Sequence, residues 1–230
     1  MNLLEKERLI AEAAEEYEHR PAEELLAFAV DTFPSIVLAC SFGAEDVVLV
    51  SMLHRIRPGT DMFYLDSDFH FRETYETRDR LAEKYGIRFI QVKPDLTPEQ
   101  QAEKYGDELW KRDPNLCCNL RKVEPLAKLL GKYDAWITGI RRDQAPTRAN
   151  ARKVEYDTKF GLVKFNPLAD WTWNDVWDYI RKHNVPYNPL HDQNYPSIGC
   201  AHCTRPVRPG EDLRAGRWSG TGKIECGLHK

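Results

Sequence analysis

A chain of 230 residues with 42% hydrophobic side chains has the material for a full core and suits one α/β domain, which excludes a disordered or fibrous protein. Its 36 acidic residues outnumber 33 basic ones, for a net charge of −3, so nothing draws it generally to nucleic acid or an anionic membrane. The acid-rich start, MNLLEKERLIAEAAEEY, lacks the apolar run of a signal peptide, and no stretch approaches the roughly 18 apolar residues of a membrane span, so a cytoplasmic protein is expected.

In chain order, residues 3–18 predict an amphipathic helix, and Pro21 opens a second one, PAEELLAFAVDTF. The period then changes. SIVLAC (35–40), DMFYLD (61–66), IRFIQV (87–92) and AWITGI (135–140) are short apolar runs rich in β-branched and aromatic residues, and helical patterns lie between them at 44–57, 71–85 and 119–131. Strands alternating with helices predict an α/β fold, a mostly parallel twisted sheet covered on both faces, with ligands beyond the carboxyl ends of its strands. YDTKFGLVKFNPL reads as a hairpin, Thr172 opens the helix TWNDVWDYIRKHN, and Trp171, Trp173 and Trp177 around its start read as core. From Pro186 the chain turns rich in Pro, Gly, Cys and Arg. One domain over 1–230 is expected: N-terminal helices to about 34, a core over about 35–185 and an appended tail over about 186–230.

The six cysteines divide by context. Cys117 and Cys118 are adjacent, which strains a mutual disulfide, and Cys200 and Cys203 form a CxxC pair in a Pro/Gly-rich loop. Together they offer four thiolates, a set that suits zinc or an iron–sulfur cluster. Vicinal sulfurs crowd one small tetrahedral ion but can each take a different iron of a cubane, which favours 4Fe-4S. Cys40 ends an apolar strand and reads as core. Cys226, near the end in KIECGLHK, reads as a reactive thiol with Lys223, His229 and Lys230 lowering its pKa.

Anion-binding signals cluster at the strand ends. CSFGAEDVVLV runs strand, turn, helix, so Ser41 and Gly43 would turn backbone N–H groups toward an anion at the helix start. It lacks the lysine of an ordinary P-loop. Asp66 and Ser67 follow the next strand, where they could bond a nucleoside. Arg141, Arg142 and Arg148 in GIRRDQAPTRA, and Arg205, Arg208, Arg214 and Arg217 further on, stand out in an acidic chain and suggest forks for phosphate or sulfate oxygens.

These motifs, SFGAED, LDS, CC with RKVEPL, GIRR with TR, GCAHCTRPV with EDLRAGRW, and ECGLH, resemble those of the assimilatory adenylylsulfate and phosphoadenylylsulfate reductases, over about Ser35 to His229. The resemblance implies an adenine nucleotide alpha-hydrolase-like fold and a 4Fe-4S cluster on Cys117, Cys118, Cys200 and Cys203. It makes Cys226 the nucleophile and Lys122 a bridge between cluster and substrate. Ser41, Phe42, Gly43, Leu65 and Ser67 would line the nucleotide site, with Gly139, Arg148, Arg214, Arg217 and His229 around phosphate and sulfate. The implied reaction reduces adenylylsulfate to sulfite and AMP through a sulfo group on Cys226, for sulfate assimilation and cysteine biosynthesis. Thioredoxin or glutaredoxin would be the electron donor. The alternative is the same chemistry on 3′-phosphoadenylylsulfate. No spacing bears on a homo-oligomer. Where the family often reads LDTG this chain has Leu65-Asp66-Ser67-Asp68, which places an extra carboxylate near an anionic ligand. A short glycine-bearing stretch, WSGTGKI, suits a mobile tail that carries Cys226 in and out. The rivals are a zinc-stabilised nucleic-acid module, against which the acidic balance speaks, and an ATP pyrophosphatase, which would want a glycine-richer turn than SFGAED.

Overall fold

The computed structural model describes residues 3–228. In chain order its helices are α1 (Leu3–Glu16), α2 (Ala22–Thr32), α3 (Ala44–Ile56), α4 (Arg72–Tyr85), α5 (Pro98–Tyr105), α6 (Leu109–Arg112), α7 (Pro114–Cys118), α8 (Glu124–Leu130) and α9 (Trp173–Lys182). The strands are β1 (Ile36–Ala39), β2 (Asp61–Leu65), β3 (Ile90–Val92), β4 (Ala135–Ile137), β5 (Val154–Asp157) and β6 (Leu162–Phe165).

The strands form one sheet in the order β3-β2-β1-β4-β6-β5, parallel throughout except for β5, which runs antiparallel to β6 at the edge. The expected hairpin is the β5–β6 pair. Alternation along the strands decides the two faces. Ile36 and Leu38 of β1 join a cluster with residues of α1, α2, α3, α4 and α9, whereas Val37 joins Phe63, Trp136 and the α8 leucines Leu126, Leu129 and Leu130. A strand buried on both sides reads as a continuous apolar run, which is why IVLA and AWI stand out in the sequence. Trp171, Trp173 and Trp177 pack against the first cluster.

The chain passes from β1 to β2 and β3 on one side, then crosses to β4 on the other. The switch leaves a crevice between the carboxyl ends of β1 and β4, the usual ligand position of such sheets.

Three stretches differ from the expected elements. The strand foreseen over 87–92 pairs only at Ile90–Val92, because Gly86 ends α4 in the left-handed region at φ 62° and Phe89 turns into the core against Phe42. Helices α5 and α6 fill a segment with no expected structure; α5 opens on a Thr97/Gln100 capping box with Pro98 in its first turn. The helix foreseen over 119–131 begins at Pro114 and is interrupted by a π-helical turn over Asn119–Val123. Among the described residues no helix is long and apolar enough to cross a membrane.

Candidate active site

A cavity of about 200 Å³ opens at the crevice. The loop after β1 lines it with Ser41, Phe42, Gly43, Glu45 and Asp46, and the loop after β4 with Gly139 and Arg141. Phe42 holds φ 62°, a cost for a non-glycine residue, and its buried ring packs on Tyr64 and Phe89. That packing anchors the turn. Asp46 Oδ2 accepts from the Ser41 backbone N–H and hydroxyl, each at 2.6 Å. Burial pushes the Asp46 carboxyl up to about 6 despite these bonds. Gly139 is required where the two loops touch: a Cβ there would collide with Asp46 Oδ1 and lie 3.0 Å from Glu45 Cβ.

Lys122, Arg148, Arg214, Arg217 and Cys226 line the same cavity. Lys122 stands on the π turn, an insertion that re-aims side chains relative to an ordinary helix. It projects Arg121 to a buried pair with Asp68 at 2.7 Å, while Lys122 reaches the cavity. Burial opposes the charge of Lys122, but the thiols of Cys200, Cys226 and Cys118 outweigh it and hold its pKa above the ordinary value. Burial and the neighbouring Arg148 push Arg214 the other way, down to about 10.

A second, smaller cavity adjoins the first and is lined by Cys117, Cys118, Cys200 and Cys203, with Lys122 and Arg217 in both linings. All four thiols are free. Residues 117 and 118 arrive at the end of α7. The CxxC loop is tied across to the chain after β2: the Ala201 N–H donates to the Phe69 carbonyl at 2.7 Å, and Ser67 Oγ lies 3.2 Å from Cys200 Sγ. Burial pushes the Cys117 thiol up to about 12 and Cys203 up to about 11. For Cys200, burial acts upward, but Lys122, the Ser67 hydrogen bond and Arg217 prevail and lower its pKa. Among the described residues no three His, Cys, Asp or Glu side chains are grouped to hold a metal ion, and the four cysteines share the lining of the smaller cavity. Arg217 lines both cavities with its guanidinium over the Trp218 ring, and its buried Nε has no acceptor.

The structure thus brings together Ser41, Phe42, Gly43, Leu65, Lys122, Gly139, Arg141, Arg148, Arg214, Arg217 and Cys226. Arg141 lies against the wall, fully buried, with Nε donating to Glu45 Oε1 at 2.8 Å and a second pairing to Asp143. Several residues expected at the ligand point elsewhere. Arg142 is not in the cavity lining; it pairs with Glu18 and donates to the Ala151 carbonyl, pinning the segment that follows α1. Ser67 is fully buried and faces Cys200 rather than the larger cavity. Asp66 is likewise internal, accepting from Tyr75 and Gln91. The extra carboxylate of Asp68 does not enter the cavity: at φ 57° it occupies the left-handed turn that suits glycine, and its oxygens pair with Arg121 and Lys93. Arg205 pairs with Glu211 outside the site. Cys40 is core, though it touches the cavity wall. His229 lies outside the described residues.

Sequence reasoning missed Trp110 and His202, whose rings stack at 4.3 Å beside the cysteine cavity, and His70, His191 and Trp173 in the larger cavity. It also missed Glu225, next to Cys226. The position of Glu225 inside ECGLH was its available signal; nothing local marks the others.

The family model described as phosphoadenosine phosphosulfate reductase domain matches residues 35–206. A protein of Halalkalibacterium halodurans named adenosine 5′-phosphosulfate reductase is 52% identical over 223 residues, 96% of each chain. The solved phosphoadenylyl-sulfate reductase of Candida auris superposes with a TM-score of 0.77 at 32% identity, covering 85% of this chain and 96% of that one. The FMN adenylyltransferase of Candida glabrata, with a TM-score of 0.57 at 17% identity over 86% of this chain and 73% of that one, shares the fold alone.

Proposed function

This chain belongs to the phosphoadenosine phosphosulfate reductase domain family, and from that premise we infer that it reduces adenosine 5′-phosphosulfate to sulfite and AMP in sulfate assimilation. The observation that carries the reading is one cavity, beyond the carboxyl ends of β1 and β4, lined at once by Cys226 and by Lys122, Arg148, Arg214 and Arg217. A nucleophilic sulfur beside a group of cations suits a sulfuryl group on an adenylyl phosphate.

The Cys226 thiolate attacks the sulfuryl sulfur. The S–O bond to the phosphate breaks, its electron pair leaves with AMP, and Cys226 carries S–SO₃⁻. The cations offset the charge that accumulates as thiolate and sulfate oxygens meet, Lys122 as a compact ammonium and the arginines as forks. A dithiol protein of the thioredoxin or glutaredoxin class then attacks Cys226 Sγ and displaces sulfite. Its second thiol resolves the mixed disulfide, so two electrons pass from the dithiol to sulfur.

Cys117, Cys118, Cys200 and Cys203 would hold a 4Fe-4S cluster. The soft donor set and the convergence of all four thiols on one small cavity support it. Bound there, it would supply an electrostatic environment that keeps Lys122 charged and in place. Zinc fits less well, since the vicinal Cys117 and Cys118 crowd one small tetrahedral ion.

The test pairs substrates and variants. Wild-type protein with a reduced dithiol protein should release sulfite from adenosine 5′-phosphosulfate faster than from its 3′-phosphorylated form. Without reductant, mass spectrometry should find an SO₃ adduct on the C-terminal peptide. Cys226→Ser should abolish sulfite release while keeping broad absorption near about 400 nm, the expectation for a retained cluster. An adduct elsewhere, or colour lost with Cys226, would overturn the assignment.

A further inference from the structure

Two of the four cations just assigned to substrate are already engaged by the chain itself. Glu225, 3% exposed, spans the Arg148 guanidinium: Arg148 Nε donates to Oε1 and Nη2 to Oε2, both at 2.8 Å. Arg214 Nη2 donates to Oε2 at 3.2 Å and to the Ile224 carbonyl at 3.1 Å, and the Thr147 hydroxyl donates to Oε1 at 3.1 Å. Two further polar contacts of this tail are exposed: Lys159 Nζ donates to the Gly227 carbonyl at 2.5 Å and Lys223 Nζ to Asn115 Oδ1 at 2.6 Å. The buried ionic contact therefore sits on the residue next to Cys226. Lys122 and Arg217 have different partners. Lys122 is set among thiols, and Arg217 bonds the Ser197 hydroxyl and the Ile198 carbonyl with its Nε unmatched.

We propose that Glu225 is a positioning residue whose carboxylate clamps onto Arg148 and Arg214 and so seats Cys226 in the cavity, leaving Lys122 and Arg217 to meet the oxyanions of the substrate. This rests on the reading of Cys226 as the nucleophile. Removing the carboxylate would take the anionic partner from two buried arginines, which would keep only neutral acceptors such as Gln144 Oε1 and the Ile224 carbonyl, so the seated position dominates while the clamp is intact. Release of both arginines must accompany each excursion of Cys226 to the external dithiol.

The test compares Glu225→Gln and Glu225→Asp with wild type in the iron-loaded enzyme. The first readout is alkylation of Cys226 by iodoacetamide, followed on the C-terminal peptide and compared at the high-pH plateau, where thiol ionisation no longer differs. Glu225→Gln should accelerate alkylation by about tenfold or more, as expected for a lost buried ion pair, with Glu225→Asp in between. The second readout is turnover: kcat for sulfite release should fall while KM for adenosine 5′-phosphosulfate stays within a factor of about two, the pattern of lost orientation rather than lost binding. An unchanged plateau rate overturns the clamp. A lower KM at unchanged kcat overturns it too, because Glu225 would then be a competitor for the arginines. Should Glu225→Gln fail to fold, Thr147→Ala loosens the same carboxylate and should accelerate alkylation more modestly. Absence of an SO₃ adduct in wild type would sink the functional reading, whereas the alkylation comparison would still decide the clamp.

Discussion

At the scale of single residues, Asp46 shows how the site loads one carboxylate with two tasks. It ties down the Ser41 turn and it bears burial that raises its pKa from 3.8 to about 6. Because the folded value lies above the unfolded one, the folded state holds the proton more tightly. Its contribution to stability is present below about pH 4 and is lost as pH rises through about 6. Asp46→Asn removes this titration. The stability of the variant relative to wild type should rise between pH 4 and 7 by a few kcal/mol at most, at about 1.4 kcal/mol per unit. Urea midpoints at several pH values measure the difference, and a flat difference would contradict the account. Of the residues the sequence singles out, Cys226, Arg148, Arg214 and Arg217 do line one cavity. Placement was not legible for Ser67 and Arg142, whose side chains turn away from the cavity to Cys200 and Glu18.

At the scale of elements, the site is made where two strand-to-loop junctions touch and where a helix is locally underwound. Gly139→Ala should push Asp46 and Glu45 off their positions at the start of α3. The expected cost is about 1–3 kcal/mol of stability, as for other overpacked sites, together with a raised KM because the Ser41 turn moves. Urea melts and steady-state kinetics check both, and a variant as stable as wild type would show that the loops have slack. The π turn over Asn119–Val123 was invisible in the sequence, which reads as ordinary helix there; only the packing of Arg121 on one side and Lys122 on the other demands an extra residue in the turn. The capping box of α5, Thr97-Pro98-Glu99-Gln100, is a local signal that went unread, since no helix was expected over that segment.

At the scale of the whole molecule, two segments about eighty residues apart converge on one thiol-lined space. If all four sulfurs serve one cluster, Cys200→Ser should lower iron per chain to less than about half and bleach the absorption near about 400 nm. Iron assay and a visible spectrum read this without any turnover. Full iron content in that variant would remove Cys200 from the ligand set.

What the chain alone determined was periodic or compositional. Runs buried on both faces betray parallel strands, 3.6-residue spacing betrays the covering helices, and gathered cysteines and arginines mark a candidate site. The tertiary structure decided strand order, hence the crevice between β1 and β4, and which way each strand-end side chain turns. It also brought Glu225 onto Arg148 and Arg214. The reason is range: propensity and pattern act over a few neighbours along the chain, whereas a cavity is assembled from residues whose separation in sequence carries no record of their contact.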